Sequence, residues 1–220
     1  MIEIGPGSGT LTSALLERAQ RVIAIEVDPL MVEALGSHAR LEVVHADVLR
    51  TDLSQWGPAL IAGNLPYYIT SPILEKIFAA RAVISQAVIL IQKEVAVRIT
   101  APPHSRDYGY LSVLSQTYAE VKSLFNIPRG SFSPPPNVDS AVVSLHLRQD
   151  LPDQTAFFTF AGRAFRHKRK TLRNNLLPFF DKNYLESLPE AGLRAEQLGI
   201  AQLRDLFNRL TNNADSDNAP

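Results

Sequence analysis

Ile2-Glu3-Ile4-Gly5-Pro6-Gly7-Ser8-Gly9-Thr10-Leu11 decides how this chain folds. A short strand runs into a turn with glycine at every second place, and Thr10 opens a helix to about Ala19, with Leu11, Ala14, Leu15 and Ala19 on one face. Strand, tight turn and helix in that order begin an α/β fold, and the alternation continues downstream. Residues 22–25 form a second buried strand ending in Glu26. Asp28 as N-cap and Pro29 at the first helical position start a helix that carries Met31 and Leu35 and stops near Gly36. Residues 41–44 are a third strand, closed by His45-Ala46-Asp47. Ala59-Leu60-Ile61-Ala62 ends a fourth, which Gly63 and Pro66 stop, leaving Asn64 and Tyr67 at its carboxyl end.

Ser71-Pro72 caps a helix over 73–80, residues 87–91 are a fifth strand, and helices follow at 93–99 and 111–118. Strands alternate with helices up to Tyr118, which specifies a parallel sheet with right-handed crossovers. Two further strands, at 121–127 and a partly exposed one at 141–147, are joined through proline-rich 128–136 as a long hairpin. Polar 149–155 is a linker. Beyond it only helical patterns remain: one apolar row through Phe157, Phe158, Ala161, Ala164 and Phe165, a continuation or second helix with Leu172, Leu176 and Leu177, and a last helix with Leu203, Leu206, Phe207 and Leu210. The expected division is an α/β domain at 1–148, a helical domain at 149–211 and a frayed polar tail at 212–220.

With 220 residues, 45% hydrophobic and 20% charged, the chain suits one α/β domain and a small appendage. It has no cysteine, which excludes disulfides and thiolate metal sites. No apolar run reaches the roughly 18 residues of a membrane span, and the start does not resemble a signal peptide, so a cytoplasmic protein is expected. The net charge of zero hides an uneven distribution. Arg163, Arg166, Lys168, Arg169, Lys170 and Arg173 crowd one short stretch around His167, and local field rather than the sum governs phosphate binding.

Three places carry chemistry. The turn Gly5-x-Gly7-x-Gly9, followed 21 positions after Gly5 by Glu26 at the next strand's tip, suits a nucleoside-type ligand: backbone close to the ligand, and a carboxylate to accept both ribose hydroxyls. The third glycine falls one place short of the dinucleotide pattern, where Thr10 stands. Asp47, at the third strand's tip, is equally a hydrogen-bond acceptor for an adenine amine and an N-cap for the turn that follows. Asn64-Leu65-Pro66-Tyr67 discriminates best. An exocyclic amine on a purine is a poor nucleophile because its lone pair is delocalised into the ring. Two acceptors on its hydrogens, the Asn64 oxygen and a backbone carbonyl at Leu65 or Pro66, favour a pyramidal nitrogen with an available lone pair. Tyr67 stacks on the base, a contact worth about 1–3 kcal/mol. Elsewhere an Asn-x-Pro turn is an ordinary loop; at the fourth strand's end after this glycine turn it reads as a site.

These segments resemble the ribosomal RNA small-subunit adenine dimethyltransferases. Residues 1–12 look like that family's cofactor turn, Ile25-Glu26-Val27-Asp28 like its ribose segment, Ala46-Asp47-Val48-Leu49 like its cofactor-adenine segment and Asn64-Leu65-Pro66-Tyr67 like its target-base motif. Gln92-Lys93-Glu94-Val95-Ala96, Tyr108-Gly109-Tyr110-Leu111-Ser112-Val113, the segment 132–143 with its triple proline, and Arg169-Lys170-Thr171-Leu172-Arg173-Asn174-Asn175-Leu176 are similar as well. The resemblance implies a Rossmann-like class I methyltransferase sheet, mostly parallel with its last strand antiparallel, and a small C-terminal all-helical domain. It implies S-adenosylmethionine as co-substrate, no metal, and two adjacent adenines near the 3′ end of small-subunit RNA as the target, in small-subunit maturation. Gly5, Gly7, Glu26, Asp47, Val48 and Asn64 would hold the cofactor, and Asn64, Leu65, Pro66 and Tyr67 would present the base. Arg166, Lys168, Arg169, Lys170 and Arg173, read otherwise as a solvated helix face, would meet RNA phosphates; Lys93, Arg98 and Arg129 are weaker candidates. The partner expected is the small ribosomal subunit, with no membrane, no obligate protein partner and a monomeric chain. The short motifs are shared with erythromycin-resistance methylases of large-subunit RNA, which form one alternative; a non-catalytic subunit-assembly factor is another. The first strand begins at Met1, and the family's Gln-Asn-Phe-Leu-type segment, which lies over the methionine end of the cofactor, has no counterpart here. Further upstream residues, and weak cofactor binding by the 220-residue chain, are therefore expected.

Overall fold

The computed structural model describes the backbone of residues 1–216 and side chains through Asn212. The chain divides into two compact units, Met1–Val97 with Tyr118–Asp150, and Arg98–Thr117 with the helical part from Leu151 onward. A division linear in sequence leaves 98–117 in the first domain. Its aromatic residues explain the difference: Tyr108 is buried edge-on against Phe165 at 5.9 Å, and Tyr110 meets Phe158 at 6.4 Å.

In the first unit, strands β1 (Ile2–Ile4), β2 (Val22–Glu26), β3 (Leu41–His45), β4 (Ala59–Asn64), β5 (Ile84–Gln92), β6 (Ala119–Ile127) and β7 (Ser140–Leu147) form one sheet in the order β3-β2-β1-β4-β5-β7-β6. The first five are parallel, and β7 is antiparallel to both its neighbours. Continuous apolar strands such as β2, buried at every residue, are what a parallel sheet covered on both faces demands. Strand order reverses between β1 and β4, and the crevice at such a switch point is where α/β sheets bind ligands.

Gly63 does not stop β4. It pairs with Ile4 inside the sheet, and a Cβ there would lie 2.6 Å from the Ile4 carbonyl oxygen, so glycine is required for the two backbones to approach. Helix α1 (Thr10–Arg18) does not bury the expected apolar row: Leu11 is 38% exposed and Ala14 is exposed, while Thr12 turns inward beside the buried Glu3. Asp28 caps α2 (Pro29–Ala34) by accepting the Leu30 N–H at 2.9 Å, and Gly36 leaves the helix with φ 64°. Helix α3 (Thr70–Ala79) starts ahead of Ser71-Pro72 because the 3-10 turn Tyr67–Ile69 runs straight into it. Pro72 then sits in the first turn, where its missing N–H is not needed. Helices α4 (Lys93–Thr100) and α5 (Tyr110–Tyr118) follow β5. The partly exposed strand is β6 rather than β7. The hairpin's return places β7 against β5, and Ser144 on it accepts a hydrogen bond from Gln86 at 3.2 Å, whereas Leu124 and Phe125 on the β6 edge stand at a bulge and are exposed.

The second unit is helical: nearly all of α5, then α6 (Thr155–Ala164), α7 (Leu172–Leu176), α8 (Lys182–Ser187) and α9 (Ile200–Ser216). Phe157 and Phe160 of α6 pack on Phe207 of α9 at 5.9 and 5.6 Å, and Leu172, Leu176, Leu203, Leu206 and Leu210 complete the core. Helix α9 continues through Asn212 to Ser216, where the frayed tail was expected to begin, because extending a formed helix adds hydrogen bonds without a new nucleus. Residues 217–220 lie outside the described part.

Candidate active site

The carboxyl ends of β1 to β4 gather the sequence-derived residues on one edge. Gly5 donates its N–H to Ile25 O at 3.0 Å and Ala46 donates to Glu26 O at 2.9 Å, locking the three strand tips into one rim. Gly7 has φ 54°, a left-handed conformation costly for a side chain, and a Cβ on it would meet nothing within 4 Å. The turn therefore presents bare backbone to an open space.

Glu26 lies on that space and is mostly spoken for. Its Oε1 accepts the N–H groups of Val27 and Asp28 at 2.8 and 3.0 Å, and Oε2 accepts that of Gly7 at 3.1 Å. A carboxylate has about four acceptor positions, so one remains on Oε2, facing the glycine turn. Asp47 performs the capping role: Oδ1 accepts the Leu49 N–H at 2.9 Å, while Oδ2 is left to Arg50 at 3.8 Å and to solvent. Val48 is buried, so what it offers a ligand is its backbone.

At the end of β4, Asn64 is exposed, and no protein group among the described residues bonds its amide. The two neighbouring carbonyls differ in what they already accept. The Pro66 oxygen accepts both the Ile69 N–H at 3.2 Å and the Thr70 hydroxyl at 3.1 Å, which fills its two lone pairs. The Leu65 carbonyl remains, with the Leu65 side chain buried and its N–H bonded to Leu90 O at 3.0 Å. Tyr67 is half-buried, and its hydroxyl and that of Ser140 are 2.6 Å apart. This bond ties the base motif to β7.

Sequence reasoning missed Ser140, although a polar Asp139-Ser140 pair before an apolar strand was a signal for it. It also passed over Glu3, a carboxyl within a strand buried on both faces. Burial pushes the Glu3 carboxyl above the usual carboxylate range, offset in part by the Thr12 hydroxyl, and its Oε2 has no hydrogen-bond partner among the described residues. No group of three or more His, Cys, Asp or Glu side chains among the described residues is arranged to hold a metal, and no helix among them is long and apolar enough to cross a membrane.

In the second unit Arg166, Lys168, Arg169 and Lys170 are on a loop rather than a helix face, while Arg163 lies in the last turn of α6 and Arg173 in the first turn of α7. Helix α6 ends at Ala164, and 165–171 form turns before α7. The buried Asn175 splices them: its amide donates to the Ala164 and His167 carbonyls at 2.8 and 3.2 Å and accepts the His167 N–H at 3.2 Å. Arg166, Arg169 and Lys170 are exposed on this loop. Lys168 is bonded to the Arg106 carbonyl, and Arg173 is paired with Glu186, so these two are less available than their neighbours.

A seven-stranded sheet of this order, with a glycine turn after β1 and an acid after β2, defines the class I methyltransferase fold. The chain belongs to the ribosomal RNA adenine dimethylase family, whose model matches residues 1–212. It is 41% identical to the ribosomal RNA small subunit methyltransferase A of Koribacter versatilis, over 96% of this chain and 84% of that one. Among solved structures it is similar to a dimethyladenosine transferase from Plasmodium falciparum, with TM-score 0.80, 28% identity, and 96% and 90% of the two chains covered. The 23S rRNA methyltransferase ErmE gives TM-score 0.69 and 29% identity over the same shares.

Proposed function

We propose that this chain dimethylates the N6 amines of two adjacent adenines near the 3′ end of small-subunit ribosomal RNA, in the cytoplasm, using S-adenosylmethionine. The observation that carries the reading is the pair of acceptors at the end of β4. With the Pro66 carbonyl occupied, Asn64 Oδ1 and the Leu65 carbonyl are the two groups left to receive an amine's hydrogens. Bonded there, the nitrogen is drawn out of conjugation and its lone pair is oriented, and no titrating base is needed because the product ammonium loses its proton to water. Orientation and polarisation supply the rate.

The residues fit the cofactor. Gly7 opens on space a side chain would fill, Glu26 Oε2 retains one acceptor position for a ribose hydroxyl, and Asp47 Oδ2, held only by a 3.8 Å contact to the exposed Arg50, can meet an adenine amine. When bound, the cofactor supplies an electrophilic methyl group. Gly5, Gly7, Glu26, Asp47, Val48 and Asn64 hold it, and Tyr67 stacks on the target base, unstacked from its strand as base-modifying enzymes require. Arg166, Arg169 and Lys170, with smaller shares from Lys168 and Arg173, meet RNA phosphates.

The likeness to ErmE supports a second reading, methylation of large-subunit RNA. One experiment separates the readings: mass spectrometry of ribosomal RNA after incubation of unmodified small subunits, or of naked large-subunit RNA, with the chain and its Asn64→Ala variant. The expected result is dimethyladenine in small-subunit RNA, lowered about 10²–10³-fold by the substitution with subunit binding retained. Methylation confined to large-subunit RNA overturns the assignment. Binding without any transfer by the unsubstituted chain points to an assembly factor instead.

A further inference from the structure

A cleft of about 580 Å³, within the roughly 300–1,000 Å³ of small-ligand sites, lies beside the base motif and is lined by Lys93, Glu94, Val97, Arg129, Asn137, Val138 and Asp139. Its place follows from the strand order. Lys93 follows β5, Asp139 precedes β7 and Arg129 follows β6, so the cleft occupies the same carboxyl edge as Asn64, on the side away from Glu26 and Asp47. From β4 to β7 is two strand spacings, about 10 Å. The bond between Tyr67 and Ser140 ties the base motif to the residue next to Asp139.

Its backbone is fixed in advance. Lys93 donates its N–H to Asp139 O at 3.0 Å, and Arg129 donates its N–H to Asp139 Oδ1 at 3.1 Å. Among the described residues the Arg129 guanidinium reaches only the Asn137 carbonyl, at 3.5 Å, and Lys93 Nζ has no protein partner. Val97 and Val138, 43% and 42% exposed, give the cleft an apolar floor. Two cations, an apolar floor, an amide and carboxylates together match the parts of a nucleotide: phosphate on the cations, a base face on the valines, and amine or ribose hydroxyl donors on the carboxylates.

We propose that this cleft is a second nucleotide subsite, which takes the nucleotide adjoining the target adenine in single-stranded RNA, its base against Val97 and Val138 and its flanking phosphates on Lys93 and Arg129. The proposal rests on the methyl-transfer reading of Asn64 and adds to it a grip on the strand outside the reacting base. A flipped base is then held from both sides: Tyr67 holds it, and the neighbouring nucleotide is prevented from pulling it back into its stack.

The test is fluorescence anisotropy with the full chain and a labelled single-stranded oligoribonucleotide carrying two adjacent adenines, alongside two versions with an abasic residue on the 5′ or the 3′ side of the target. Methyl transfer to each is measured in parallel. One abasic version is expected to bind about tenfold more weakly. Val138→Asp is expected to weaken the intact oligonucleotide by a similar factor and to abolish the distinction between intact and abasic. Lys93→Ala combined with Arg129→Ala lowers the slope of log affinity against log salt by about 0.7 for each phosphate no longer neutralised. Equal binding of intact and abasic oligonucleotides, or discrimination by Val138→Asp equal to the parent's, overturns the subsite. Transfer without discrimination overturns it alone and leaves Asn64's role standing, whereas absence of both binding and transfer removes both.

Discussion

Replacing Gly63 by alanine tests whether the close passage of β4 over β1 builds the site. The added Cβ would stand 2.6 Å from Ile4 O, 3.3 Å from Ile4 N and 3.4 Å from Ile4 C. Carbon contacts settle at about 3.5–4.0 Å, so the strands must part by on the order of 1 Å. The obstacle is backbone in the middle of the sheet, paired on one side to Gly63 and on the other to Ile25, and neither side has a rotamer with which to yield. Overpacking costs about 1–3 kcal/mol, and a backbone clash at a central strand belongs at the upper end. At about 2–4 °C per kcal/mol for a chain of this size, the melting temperature should fall by roughly 6–12 °C, followed by circular dichroism. The same displacement moves Asn64 away from the glycine turn, so methyl transfer should fall further than stability does. A melting temperature within about 2 °C of the parent would refute the reasoning.

Gly7→Ala is expected to behave in the opposite sense. Its methyl meets no atom within 4 Å, so stability falls by only about 1 kcal/mol for the left-handed backbone, while calorimetric affinity for S-adenosylmethionine drops at least about tenfold because the methyl enters the cradle. Glu3→Gln reports on the buried acid. Burial raises the Glu3 carboxyl above its unfolded value of 4.5, so its contribution favours folding below that pH and is lost as pH rises through the raised folded value. The glutamine variant should therefore resist urea better than the parent at neutral pH, with the advantage shrinking toward pH 4.5 and below; a less stable variant at pH 7 contradicts this. Asn175→Ala strands two carbonyls and one N–H at the start of the basic loop. A loss of about 2 kcal/mol in urea melts, with RNA affinity falling alongside, is expected, and unchanged affinity would detach the loop from RNA binding.

The parallel half of the sheet was legible because buried parallel strands are nearly pure apolar runs, and because Asp28-Pro29 and Gly36 are local signals whose chemistry needs no tertiary partner. The misreadings share one cause: each depended on a neighbour remote in sequence. Gly63 reads as a breaker until Ile4 is laid against it. Leu11 and Ala14 read as an inward face until the sheet is laid beneath the helix and Thr12 proves to be the buried residue. The exposure of β6 and cover of β7 follow from which strand of a hairpin reaches β5, which alternation alone does not encode. In the site, Asn64 and Glu26 were visible as strand-end polar residues after a glycine turn. What remained hidden was how far backbone amides already occupy Glu26, and which of two adjacent carbonyls the following helix consumes.

That last feature bears on the order of events. Because Ile69 and Thr70 saturate the Pro66 oxygen, the clamp at the end of β4 has two acceptors, a number that matches an unmodified adenine amine and exceeds the single hydrogen left after one transfer. If Asn64 and Leu65 receive the amine as proposed, the second round is oriented by one hydrogen bond fewer, a net loss of about 1 kcal/mol, or roughly fivefold in rate. The ring of Tyr67, anchored on Ser140, is the contact that does not change between rounds. On the proposed reading, the balance between singly and doubly methylated product reports how well that ring retains the base between rounds.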